Sequence, residues 1–316
     1  MIPRDIRRVF SRLDLQAMSF ADSAAPYRYA SSSTSSESFM RLLDPPGAWE
    51  DVDEAMDYLI HNFRWIFHTA ARFEPDPVPL LVLAEAEAKS RVWEVRFSSL
   101  LDRMHIENVQ DQKVKYTITL LRVYQITMGI ILGTRIYGHE ELHDSYTAEY
   151  TRVVTMIESM LPPSSEIRTG IEKGGEEEQI FSFEPGLIFV LFFTAIKCRI
   201  PDLRRRAIAL LGPPSPSGHS SASSPLLLPH ARKARYQEGA WESQAAAAVA
   251  SFVINIEEEN CSSGDDGART VPLESDRIHV VNVASCILRR QVQVCCVFLT
   301  PGQGQGYRVR EGVVNY

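Results

Sequence analysis

Apolar residues return every three or four positions along most of this chain, the spacing of amphipathic helices, and alternate only near its end. Ile6, Val9, Phe10, Leu13 and Ala17 set a first helical stripe, which dissolves into the serine-rich loop "ASSSTSSES" at 30–38. "DPPGAWEDVDEAMDYLIHNFRWIFHTAARF" opens with turn residues and the acidic Glu50, Asp51, Asp53 and Glu54, which favour a helix N-terminus. It continues with a buried stripe of Tyr58, Leu59, Phe63, Ile66 and Phe67. Leu80, Leu83, Ala84, Trp93, Phe97, Leu100 and Leu101 predict a second long helix.

A third is expected from Gln112 to Tyr137; being apolar nearly all round, it should be central. A fourth is expected from Ser145 to Leu161, ending before Pro162-Pro163, and two more at 186–198 and 201–211. "EIRTGIEKGGEEEQ" (166–179) reads as a loop, and "GPPSPSGHSSASSPLLLPH" (212–230) as a disordered insertion. "AWESQAAAAVASFVINIEEE" resumes helix, helped by four consecutive alanines. "RIHVVNVASC" and "QVQVCCVFL" then switch to β-branched residues and predict two strands turning around Leu288–Arg290. The fold class expected is mostly α: a large multi-helix domain with a small C-terminal β-hairpin. Residues 1–211 form the helical domain in this reading, and 231–316 a helix plus hairpin packing on the same domain.

The 316 residues suffice for a large core, and 45% hydrophobic with 23% charged residues is an ordinary globular balance. A net charge of −7 argues against gripping nucleic acid through the overall field. Cys198, Cys261, Cys286, Cys295 and Cys296 are odd in number and unevenly spread, which points to a reducing compartment. The N-terminus lacks an uninterrupted apolar run, so no secretory signal is expected. Arg122 and Gln125 interrupt the apolar stretch 116–133, and 187–196 is shorter than the roughly twenty residues a bilayer needs. No membrane association is expected.

"YGHEELHDSY" holds His139-Glu140-x-x-His143, the spacing with which zinc hydrolases place two imidazoles on one helical face and a general base between them. Glu149, Glu158 and Glu166 are candidate third ligands. Gly138, however, stands where a helix C-cap belongs, and Asp144-Ser145 where the next N-cap belongs. The motif therefore falls on a connection, and His139, Glu140 and His143 are expected to be solvated loop residues. Arg199, Arg204, Arg205 and Arg206 read as a solvated helix face opposite Leu203, Ala207 and Ile208. Cys295 and Cys296 should point to opposite sides of a strand, which makes a shared metal an unfavourable reading. "GQGQG" (302–306) is a weak phosphate-loop candidate, because no helix follows it.

Several segments, in order, resemble the C-terminal homology region of fungal transcription factors of the binuclear zinc cluster (six-cysteine) class. Cys198, Arg199, Pro201, Arg204–Arg206, Ala207, Ile208, Leu210 and Leu211 match that region's Cys-Arg-x-Pro, basic stretch and Ala-Ile-x-Leu-Leu helix. Glu238, Gly239 and Trp241 match its Glu-Gly-x-Trp, and Ile256, Glu257 and Glu258 its Ile-Glu-Glu helix end. "FSRLDLQAMSFAD", "ELHDSYTAEYTRVV" and "YRVREGVVNY" are similar to further pieces of it.

The resemblance implies a helical, nuclear, non-catalytic domain for transcription regulation, with secondary metabolism one setting. It implies no cofactor and no metal of its own. It implies contacts with protein partners or a small effector, for which Arg204, Arg205, Arg206 and Trp241 are the expected surface. The chain departs from the family in lacking six-cysteine spacing, so DNA contact would come through a module not in this chain. The expectation is accordingly the latter part of such a protein, from a truncated gene model or a short paralogue, missing upstream helices. The alternative is a zinc-dependent hydrolase using His139, His143 and Glu140.

Overall fold

A computed structural model describes residues 49–70, 78–105, 110–134, 140–160, 185–211, 238–262, 277–286, 291–300 and 306–315. Among them the fold is mostly α with a small C-terminal antiparallel sheet, as the periodicity indicates. The chain divides into two compact units, Met1–Gly138 and His139–Tyr316. The low-complexity stretch after Leu211 is thus no boundary: the helices on either side of it belong to the same unit.

The first unit contains α1 (Val52–Ala70), α2 (Leu80–Arg103) and α3 (Gln112–Gly133), each packed on the other two. Asp51 opens α1 by accepting a hydrogen bond from the Glu54 amide, while the Glu54 carboxylate reaches back to the Glu50 amide, a near capping box. Asp111 caps α3 by accepting from the Lys113 amide at 2.8 Å. α3 ends at Thr134, whose hydroxyl donates to the Ile130 and Ile131 carbonyls, short of the expected Tyr137. By length and composition α3 could cross a membrane, but 56% of that apolar stretch is buried inside the protein.

The centre of this unit is aromatic. Trp93, fully buried, stacks on Phe97 at 4.6 Å between centroids and tilts against Trp49 at 5.9 Å. Its indole N–H donates to the Ala55 carbonyl at 2.9 Å, tying α2 to α1. Phe63 meets Tyr124 edge-on and brings α3 in.

The second unit contains a 3-10 helix (Glu140–Tyr146), α4 (Thr147–Ser159), α5 (Pro185–Lys197), α6 (Pro201–Leu211) and α7 (Glu238–Ser262). These are followed by β1 (Ile278–Cys286), β2 (Gln291–Thr300) and β3 (Gly306–Asn315). α5 is the apolar centre, with Leu187 to Phe192 all buried, and packs on α6 and α7. The sheet runs β1-β2-β3, antiparallel throughout, with α7 packed on β2 and β3.

Val292, Val294, Cys296 and Phe298 face inward at every second position, so Cys295 and Cys296 do point to opposite sides. The third strand adds to the expected hairpin. Its Arg308, Arg310, Glu311 and Gly312 hide a strand pattern because it lies at the sheet's edge, where charges are tolerated. Gly312 lets that edge approach α7: a Cβ there would sit 2.3 Å from the Phe252 ring.

Replacing Trp93 by Ala should destabilise the first unit by about 3–5 kcal/mol, and by Phe about 1–3 kcal/mol, in denaturant unfolding. A loss below about 1 kcal/mol for Trp93→Ala contradicts this account of its core.

Candidate functional site

Several of the residues singled out by sequence lie in the second unit around the turn from α5 to α6. α5 leaves its last carbonyls unpaired, as every helix does. The Cys198 amide donates to Thr194 O at 2.9 Å, and the Arg204 Nε donates to Ala195 O at 2.8 Å. Pro201 begins α6 with a fixed φ, at a position where its lack of an N–H costs no intrahelical hydrogen bond, and Asp202 lies in the first turn.

Arg204 is buried and its Nη1 lies 2.6 Å from Glu257 Oε2, on α7. The second oxygen of Glu257 accepts the Ile278 amide, the first N–H of β1, at 3.2 Å. One buried ion pair thereby joins α5, α6, α7 and the sheet. Arg204 is therefore not on a solvated face, and the expected partner surface loses it. The reason is helical register, since Arg204 lies on the same stripe as buried Ala207 and Leu211.

Its neighbours differ. Arg205 is 62% exposed, 3.3 Å from Asp202 and 3.5 Å from Glu258. Arg206 donates to both oxygens of Glu158, at 2.9 and 2.6 Å, in a bidentate pair with α4. That hydrogen bonding raises the Arg206 pKa above its ordinary value. Trp241 lies in the first turn of α7, and its side chain is outside the described residues.

The His-Glu-x-x-His segment was expected to be solvated. His139 lies outside the described residues, but Glu140 and His143 are buried, at 7% and 5% exposure. The expectation fails because Glu140 finds its partners far along the chain, and His143 is covered by Tyr150 and by Phe193. Lys197 Nζ lies 2.5 Å from Glu140 Oε1 and also reaches the Ile278 carbonyl. Arg277 donates to the Glu140 carbonyl at 3.0 Å. His143 Nδ1 and the Tyr150 hydroxyl share a hydrogen bond of 2.8 Å, and the Phe193 ring lies against both.

Glu140 to Tyr146 form a 3-10 helix leading straight into α4. The Asp144-Ser145 side-chain cap does not form, and α4 starts at Thr147, whose hydroxyl bonds the Asp144 carbonyl. Asp144 pairs with Arg199 instead.

Burial first, then Lys197 and Arg199, push the His143 pKa down to about 3, so its imidazole is neutral near pH 7. Burial also raises the Tyr150 hydroxyl well above its usual range and raises the Cys198 thiol. Asp144 is raised by burial too, against the pull of Arg199. A base that weak and a thiol that reluctant to ionise are poorly tuned for proton transfer or attack at neutral pH.

The cluster also fits a zinc ion badly. Lys197 and Arg199, the cations that depress His143, would repel a divalent cation, and Glu140 is held by an ammonium group. Of the nominated third ligands, Glu158 is taken by Arg206, Glu166 lies outside the described residues, and Glu149 keeps one buried oxygen without a hydrogen bond. Among the described residues, no three His, Cys, Asp or Glu side chains come together as a metal-binding group.

Of the resemblance-bearing segments, "ELHDSYTAEYTRVV" is the 3-10 helix and most of α4, and "CRIPDLRRRAIALL" runs into α6. The Glu-Gly-x-Trp and Ile-Glu-Glu pieces begin and close α7, and "YRVREGVVN" lies in β3. "FSRLDLQAMSFAD" and all of "GQGQG" except Gly306 lie outside the described residues. No family model, curated protein or solved structure matches the chain.

His143 gives a pH signature. Its pKa is lower folded than unfolded, so its contribution is complete above about pH 6.5 and declines as pH falls toward 3. His61 in the first unit, lowered to about 4 by burial, acts in the same direction. From pH 6.5 to about 5, above the carboxylate range, the unfolding free energy of the second unit should fall with a limiting slope of about 1.4 kcal/mol per pH unit. His143→Gln should remove that slope; the same slope in variant and wild type contradicts a neutral, buried His143.

Proposed function

We propose that this chain is a non-catalytic, nuclear regulatory domain of the kind attached to fungal zinc-cluster transcription factors. In this reading it acts through contacts with protein partners or a small effector. DNA contact belongs to a six-cysteine module that the given sequence does not contain. The observation that supports the reading is where the resembling residues fall. Arg204 of the basic stretch and Glu257 of the Ile-Glu-Glu helix end, 53 residues apart in sequence, form the buried pair that joins α6 to α7. Arg205 and Glu258 approach each other beside them at the surface. Motif residues that are distant in sequence and adjacent in space are what a shared architecture requires.

Arg205 is then the arginine best exposed for a partner, with Arg206 half-exposed beside it. A zinc hydrolase at His143 and Glu140 ranks second, because both side chains are engaged by neighbours of unsuitable charge or chemistry.

Fused to an unrelated DNA-binding module, the chain should change reporter transcription several-fold, while the unfused protein gives no sequence-selective gel shift. Unchanged transcription in the fusion contradicts the proposal. So does about one tightly held zinc per chain that is lost in His143→Ala, which would restore the hydrolase.

A further inference from the structure

We draw no further inference here: the strongest candidate, the apolar face of α2 in the first unit on which Leu81, Val92 and Val95 stand exposed, carries nothing because nothing in the structure shows what covers it.

Discussion

A guanidinium and a carboxylate withdrawn from water meet where the elements of the second unit join. Arg204 and Glu257 each give up hydration worth several kcal/mol, and their mutual attraction offsets this only because the geometry is close and other groups are satisfied as well. Arg204 also caps a free carbonyl of α5, and Glu257 also receives the first amide of β1. The pair is therefore a junction between four elements rather than an isolated contact. One nitrogen, Nη2 of Arg204, has no hydrogen-bond partner, so the junction is not fully compensated. Its contribution is better sought in specificity of arrangement than in net stability.

The second cluster extends the same junction. Lys197, at the end of α5, bridges the Glu140 carboxylate and the carbonyl of Ile278, whose amide is the one Glu257 holds. Arg277 ties the carbonyl of Glu140 from the same strand end. The start of β1 is thus fixed from two sides by four charged groups. Glu140 and His143, from a segment with the spacing of a catalytic zinc motif, are placed as part of this brace, and His143 is kept neutral by burial and by the surrounding cations.

The described helices, the first two strands and the alternation of Cys295 and Cys296 were legible because they depend on local periodicity, which burial on one face enforces; the stripe expected from Ile6 to Ala17 lies outside the described residues. The third strand was not: an edge strand carries charges and a glycine, and the alternation that would mark it is diluted. Burial of Glu140 was also hidden, because the groups that pair with it, Lys197 and Arg277, lie 57 and 137 residues away. Arg204 and Glu257 did leave a signal. Arg204 shares a stripe with Ala207 and Leu211, and Glu257 one with Ala246, Ala250 and Val253. Two opposite charges on two otherwise apolar stripes call for each other, and helical register alone would have paired them.

A double-mutant cycle on Arg204→Met and Glu257→Leu tests the junction most directly. Each single substitution leaves a buried charge without its partner and should lose about 3–5 kcal/mol, while the double variant should recover at least about 2 kcal/mol of their sum. Losses that simply add, or an Arg204→Met variant as stable as wild type, would contradict the account.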